Sequence, residues 1–268
     1  MSINIRMAFA DDGENCWQNR KELLVERIRA FNPDLLGLQE CVDTIQSPYI
    51  QSALPDYRFL GRRRGGPGGD PALEVSAILY KPQVFEEIEH RTFWLSETPD
   101  IPESLSWGAE FCRTVEQVTL QPYSPPSGKP RPFTLFNTHF DYAGQAPLES
   151  ARVLRNRIEA FGPEMPVLVS GDFNIQKDSQ PYLLLLHGAG NQDGLSLRDT
   201  YRQVFPWGQE SEDSYHGFGR TSTGGAIDWI LASEHFEVIE AGIDRFQRGN
   251  LHPSDHYPVW AVVRWSLP

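Results

Sequence analysis

What the sequence is short of narrows it first. Its three cysteines, Cys16, Cys41 and Cys112, stand far apart. An odd number with no paired spacing offers no disulfide framework, and the absence of CxxC and HExxH removes the usual zinc motifs. Reduced, structural thiols are the expectation. No apolar run reaches the roughly 18 residues that a membrane helix needs, and the opening "MSINIRMAFA" lacks the long apolar stretch of a leader. A soluble, cytoplasmic chain with no membrane span is expected. Positive charge is also scarce: Lys plus Arg total 24 against 36 Asp plus Glu, a net charge of −12 at pH 7. Such a surface repels polyanions, which counts against a processive nucleic-acid binder. It leaves room for an acidic cleft filled by a divalent metal. Internal repeats and a dividing linker are absent, and "GRRRGGPGGDP" at 61–71 lacks the GK[ST] ending of a phosphate loop.

What is present suffices for one sizeable core. A chain of 268 residues, 40% hydrophobic and 22% charged, suits an ordered layered α/β fold, taken as a single domain over 1–268. "SINIRMAF" alternates as a strand, with Ile3, Ile5 and Met7 on one face and Ser2, Asn4 and Arg6 on the other. Leu23, Leu24, Ile28 and Phe31 mark a helix from about Asn19 to Phe31, ended by Asn32-Pro33. Strands are expected at "DLLGLQE", "SAILYKP", "TVEQVTL", "PFTLFNTHF", "MPVLVS", "AIDWILA" and "YPVWAVVRW". Helices are expected from about Ala146 to Phe161 and at "PYLLLLHG". Meanders mixed with strand–helix–strand units imply a two-sheet core with helices outside. The Pro/Gly/Ser-rich "QPYSPPSGKPR" reads as a connection. The 61–71 segment reads either as a solvated loop or as an arm bringing Arg62, Arg63 or Arg64 to an anionic substrate.

Polar groups recur where these strands run out. Asn4 lies in the first strand, Glu40 ends "GLQE", and Glu74 precedes "VSAILY". His139 and Asp141 follow "LFNT", Asp172 and Asn174 follow "VLVSG", Asp228 opens "WILA", and Asp255-His256 precede "YPVWAVV". Each has an ordinary reading: a turn at 171–174 or at Asp255, a first-turn acid at Glu40, a structural histidine at His139. Together they suit one site, because ligand sites in layered folds gather beside strand ends. In an extended chain Asp172 and Asn174 point the same way while Phe173 anchors in the core. Oxygen donors of this kind suit Mg²⁺ or Mn²⁺. One chemistry uses them all: metal-assisted attack of water on phosphorus, with a carboxylate on the water and imidazoles and amides on the phosphate oxygens.

At "GLQE", "NTHFD", "GDFN", "IDWI" and "SDHYPV", in that order, the chain resembles the endonuclease/exonuclease/phosphatase superfamily. "NCWQNRK", "FWLSETP" and "GFG" resemble a bacterial hydrolase branch of it. The resemblance implies a deoxyribonuclease I-like four-layer α/β sandwich, two packed mixed β-sheets flanked by helices. It implies Glu40 as principal Mg²⁺ ligand with Asn4 beside it and Asp255 near the metal. It further implies that Asp172 orients or deprotonates the attacking water, that Asn174 helps bind phosphate, and that His256 contacts the scissile phosphate while paired with Asp228. His139 matches a second histidine of the nuclease-like members, and Glu74 the carboxylate that partners it. Arg6 stands where abasic-site members carry an acid, so one tight metal is expected. Arg6 and Arg113 are then expected to contact phosphate, against the ordinary reading of carboxylate-paired arginines. The expected activity is a Mg²⁺- or Mn²⁺-dependent phosphoesterase acting on a small phosphoester, a diester ahead of a monoester. The alternatives are a nuclease and a non-catalytic phosphate binder. No protein partner is readable. Specificity is expected in the loops at 61–71, 92–110, 141–147 and 206–224.

Overall fold

Alternation along the central strands produces the layering. The computed structural model describes residues 1–123, 131–188, 195–207, 212–222 and 224–266. In chain order it has β1 (Ser2–Asn4), α1 (Trp17–Phe31), β2 (Leu35–Val42), α2 (Gln46–Ala53), β3 (Arg58–Leu60), β4 (Glu74–Tyr80), β5 (Phe85–Trp94), β6 (Thr114–Pro122) and β7 (Phe133–His139). Then follow α3 (Ala146–Glu159), β8 (Val167–Asp172), α4 (Gln180–His187), β9 (Leu197–Asp199), α5 (Thr200–Val204), β10 (Asp228–Ser233), β11 (Phe236–Ile243) and β12 (Val259–Trp265). The strands form two 6-stranded sheets, β11-β12-β1-β2-β4-β3 and β5-β6-β7-β8-β10-β9. Both are mixed, with β1–β2 and β7–β8 parallel and the other pairs antiparallel.

Odd and even residues of each strand go to different layers. Ile3, Ile5, Leu36 and Leu38 pack outward against Leu24, Ile28 and Ile50 of α1 and α2. Val167, Val169 and Phe136 pack outward against Leu154, Ile158 and Leu185 of α3 and α4. Leu135, Leu168, Ile78 and Tyr80 pack inward, between the sheets. The result is the expected four-layer sandwich. Among the described residues no helix is long and apolar enough to cross a membrane.

The inward positions change character along the strands. β8 runs Leu168, Ser170, Asp172; β7 runs Leu135, Asn137, His139; β4, read backwards, runs Ile78, Ser76, Glu74. The space between the sheets is therefore apolar at one end, neutral polar in the middle and charged at the other. The middle is a buried hydrogen-bonded layer. The Asn137 amide donates to the carbonyls of Leu38 and Ala77 at 2.9 Å each, and its oxygen accepts from Gln39 at 2.8 Å and from Ser170 at 3.0 Å. Satisfied in this way, the layer fixes the register of one sheet on the other. Gly37 makes the close approach: a Cβ there would overlap the Asn137 amide oxygen and stand 2.8 Å from Ser170 Oγ.

Several sequence expectations shift. β1 stops at Asn4, because Arg6 turns into the left-handed region with φ 54°. The alternation therefore does not carry Met7 and Arg6 onto strand faces. α1 begins at Trp17 and ends where Asn32 adopts φ 54° before Pro33. Strands β5 and β11 escape the alternation reading because each is bulged, between Glu87 and Glu89 and between Val238 and Glu240, so the period of two breaks midway. Most of the connection "QPYSPPSGKPR" and part of the 206–224 loop lie outside the described residues. Replacing Gly37 by alanine is expected to destabilise the fold by about 1–3 kcal/mol through overpacking. Unchanged denaturant unfolding of that variant would refute the close inter-sheet approach.

Candidate active site

Strand register assembles the centre of the site. Asp172 ends β8, and its lateral neighbours are His139 of β7 on one side and Asp228 of β10 on the other. Three motifs separated by up to about ninety residues of chain thus become three adjacent strand ends. Gly171 permits this: a Cβ there would strike the carbonyl oxygen of Thr138. Past Asp172 the chain does not stay extended, as expected from the alternation, but turns. Asn174 adopts φ 53° and its N–H donates to Asp172 Oδ1 at 2.9 Å. Phe173 is the anchor, fully buried and stacked on Trp229 with ring centroids 4.4 Å apart. The turn reading of "GDFN" therefore holds, and the turn is what carries Asn174 to the cavity.

The opposite sheet contributes Glu40. It sits at φ 58° in a bulge of β2, between the paired residues Leu38 and Cys41. The bulge aims its carboxylate at Asp172 from across the sandwich. Asn4 lies between them. Its amide nitrogen donates to Glu40 Oε1 and to Asp172 Oδ2, each at 2.9 Å, while its oxygen accepts from the Arg6 N–H at 2.9 Å. The second Glu40 oxygen accepts from the Met7 N–H at 3.0 Å. Asn4 is fully buried and does not reach the cavity wall. Expected beside the metal and at the substrate, it holds two carboxylates with its amide in this structure. Arg6 does line the cavity but is forked onto Asp12 at 3.0 and 3.1 Å, with Asp255 at 3.7 Å. It is the carboxylate-paired arginine of the ordinary reading, and less available to phosphate than expected.

His256 completes the centre. Its Nδ1 meets Asp228 Oδ2 at 2.9 Å and its Nε2 lies 3.8 Å from Asp172 Oδ2. Burial opposes a charge on the ring, but Asp228 and Asp172 outweigh it and raise its pKa to about 10. His139 goes the other way. Burial, with the charges of Arg113 and Arg64, holds it well below the usual imidazole range. It is neutral, and its Nε2 pairs with the Asn174 amide at 3.0 Å. The other Asn174 amide hydrogen goes to the Phe140 carbonyl at 2.9 Å. Asn174 thus positions His139, in place of the free phosphate donor expected of it. Glu74 does not partner His139 as expected. It pairs with Arg64 at 3.0 Å, and His139 Nδ1 has no hydrogen-bond partner among the described residues.

These groups line a cavity of about 550 Å³ that includes Glu40, Glu74, Asp172, Asp255, His139 and His256. Its carboxylates are crowded. Burial and the charge of Asp228 push Asp172 up to about 7, burial and the charge of Glu40 push Glu74 up to about 7, and burial raises Asp255 as well. Glu40 is held below its ordinary value despite burial, by Asn4, Arg6 and His256. A site in which neighbouring carboxylates resist ionising together is one that a hard cation relieves, and oxygen donors suit Mg²⁺ or Mn²⁺. The tightest cluster of metal-capable atoms is Asp172, Asp228 and His256, all within 4.8 Å of one another. That trio is already closed by the Asp228–His256 hydrogen bond, so the Glu40 side, with Asp255, fits a cation better.

Sequence reading missed the supports. Arg20 is fully buried and donates to the carbonyls of Ile5, Arg6 and Pro253, tying the end of β1 to the segment before Asp255. Ser214 Oγ accepts from the Ile227 and Asp228 N–H groups at 3.0 Å each. Both sit among ordinary helix or loop residues and carry no local signal. Of the arginine run, Arg62 lies over Trp94 and Arg63 pairs with Asp43, while Arg64 alone lines the cavity. The 61–71 loop is pinned by Glu116, which accepts from the Arg62 N–H at 3.0 Å and from His90 at 2.7 Å.

The model of the Endonuclease/Exonuclease/phosphatase family matches residues 1–256. An endonuclease/exonuclease/phosphatase of Bacteroides vulgatus superimposes with a TM-score of 0.83 at 26% identity, covering 99% of this chain and 97% of that one. A mannosyl-6-phosphatase of Bacteroides thetaiotaomicron superimposes with a TM-score of 0.80 at 28% identity, covering 98% of each chain. A protein of Acanthamoeba polyphaga mimivirus is 28% identical over 165 residues, 59% of this chain and 59% of its own length.

Two outcomes test the site's construction. Asn4→Ala leaves two buried carboxylates without their shared donor and is expected to cost about 1–3 kcal/mol in unfolding free energy; an unaltered melting curve would contradict the bridge. The second concerns pH. The Glu116 hydrogen bond raises His90, and burial raises Glu116. The folded state therefore binds the His90 proton more tightly than the unfolded state, so its contribution is complete below the unfolded histidine value and is lost as pH rises through the folded one. The melting temperature is expected to fall as pH rises above the ordinary histidine range, and His90→Gln to flatten part of that slope. An identical slope in both proteins would rule the pair out as a contributor.

Proposed function

Because the chain belongs to the endonuclease/exonuclease/phosphatase family, we propose that it is a Mg²⁺- or Mn²⁺-dependent phosphoesterase that hydrolyses a small phosphoester by attack of water. One observation carries this reading: Glu40 of one sheet and His256, just before β12 of the same sheet, meet Asp172 and His139 of the other on one cavity of about 550 Å³, with Asp228 behind His256. A divalent cation held at Glu40, with Asp255 beside it, supplies neutralisation of phosphate and leaving-oxygen charge. The protein's own groups do the rest. Asp172, with both oxygens oriented by Asn4 and Asn174, positions the attacking water and takes its proton. His256, kept as imidazolium by Asp228, donates from Nε2 to a phosphate oxygen. Asn174 steadies neutral His139 on the same wall.

The size of the cavity and the charge of −12 favour a small substrate over a polymer. The whole-length likeness to a solved mannosyl-6-phosphatase supports a phosphorylated sugar or similar small ester as the first candidate. The deciding experiment is a hydrolysis screen over phosphomonoesters, phosphodiesters, nucleotides and oligonucleotides with Mg²⁺ or Mn²⁺. Turnover is expected to stop with chelator and to fall by at least about 10²-fold in Asp172→Ala and in His256→Ala. Chelator-resistant turnover, or full rates in both variants, would refute the proposal. Steeply salt-dependent cleavage of oligonucleotides alone would replace it with a nuclease.

A further inference from the structure

We propose that the wall formed by Arg64, Arg113 and Phe111 selects a phosphomonoester dianion over a phosphodiester. The inference rests on the phosphoesterase reading and names its substrate class. It reverses the preference for a diester drawn from the sequence.

Arg113 follows Phe111 and Cys112 just before β6, and its side chain is about as buried as a core residue, with 5% exposure. Its Nε and Nη1 have no hydrogen-bond partner among the described residues. The nearest carboxylate oxygen, Asp141 Oδ2, is 3.6 Å away. That oxygen already accepts from the Phe111 N–H at 2.9 Å, and its partner oxygen accepts from the Ala143 N–H at 2.8 Å. Arg64 is brought against the same feature. Its guanidinium lies 4.7 Å from the Phe111 ring centre and that of Arg113 lies 5.2 Å from it. Arg64 is held by Glu74 at 3.0 Å and by the Pro71 carbonyl at 2.7 Å, and its own carbonyl accepts from the Trp94 indole at 2.7 Å. Two buried cations therefore share one aromatic ring at the cavity wall, and a single carboxylate is in hydrogen-bond contact with either. A buried charge without a bonded partner is costly, and an anion placed against it removes that cost.

Position decides which anion. Arg64, Phe111 and Arg113 line the same cavity as His139, Asp172 and His256, so the wall adjoins the phosphate site and is not a remote patch. A phosphomonoester offers three non-bridging oxygens and nearly two charges near neutral pH. A diester offers two such oxygens and one charge. The cavity has three stations for oxygen: a cation held at Glu40, Nε2 of His256, and Arg113 on the His139 side. Three stations match three oxygens. A diester places an alkyl group where the third non-bridging oxygen of a monoester would meet the Arg113 guanidinium. The reaction is hydrolysis: water adds to phosphorus, the phosphorus–oxygen bond to the alcohol breaks, and the proton lost by the water ends on the alcohol oxygen as inorganic phosphate departs.

The test compares p-nitrophenyl phosphate with bis(p-nitrophenyl) phosphate under Mg²⁺, and binding of inorganic phosphate with that of dimethyl phosphate by thermal shift. The wild-type protein is expected to favour the monoester in kcat/KM by at least about 10²-fold. It is also expected to be stabilised by inorganic phosphate and not by dimethyl phosphate. In Arg113→Met the monoester should lose about 10²-fold and the diester far less, so the preference collapses, and Arg113→Lys should restore part of it. Stabilisation by phosphate should vanish in Arg113→Met. A wild-type protein that prefers the diester, or that is stabilised equally by both anions, would overturn the proposal. So would equal losses on both substrates in Arg113→Met. If neither ester is hydrolysed, the phosphoesterase reading fails while the anion selectivity is still decided by the binding comparison. If Arg113→Met does not fold, the wild-type ratio and the two-anion comparison decide it alone.

Discussion

A single amide group holds the two halves of the site together. The Asn4 side chain donates one hydrogen to Glu40 of its own sheet and the other to Asp172 of the opposite sheet. Two buried carboxylates facing each other across a sandwich repel one another and lose their water, so a shared neutral donor is what lets both be present before any cation arrives. Behind Asn4 the Gln39, Asn137 and Ser170 layer repeats the device with neutral groups, one sheet donating to the other. The sandwich is therefore glued by oil at one end and by directional bonds toward the other. The directional end sets the register on which every distance in the site depends.

Backbone strain recurs at the same place. Glu40, Arg6 and Asn174 all have positive φ near 55°, and all three line the cavity. For residues other than glycine such conformations cost free energy and persist only when the surroundings over-determine them. Here each is held by a named bond: the Met7 N–H on Glu40, the Asn4 oxygen on the Arg6 N–H, the Asp172 oxygen on the Asn174 N–H. The strained turns move side chains off the strand faces and into a pocket that a regular strand end would leave open.

The cavity wall carries both signs of charge: Glu40, Asp172 and Asp255 supply carboxylates, and Arg64 and Arg113 supply guanidiniums. An overall charge of −12 does not conflict with it, because the arginines that matter are buried and act at short range.

The sequence by itself determined a good deal. Period-two alternation, helical periodicity and proline punctuation located most of the central elements, and the ordered polar strand ends located Glu40, Asp172 and His256. These are local properties: a side chain's face on a strand follows from its neighbours in the chain. Bulged strands such as β5 and β11 broke the period and were not legible, and the fate of β1 after Asn4 was hidden for the same reason. Only the tertiary structure decided partners. Asn4 went to two carboxylates instead of a metal, Glu74 to Arg64 instead of His139, and Arg6 to Asp12. Arg20 and Arg113 acquired their meaning from what surrounds them after folding. A charge chooses among partners by distance and desolvation in three dimensions, and neither quantity is written in the order of residues along the chain.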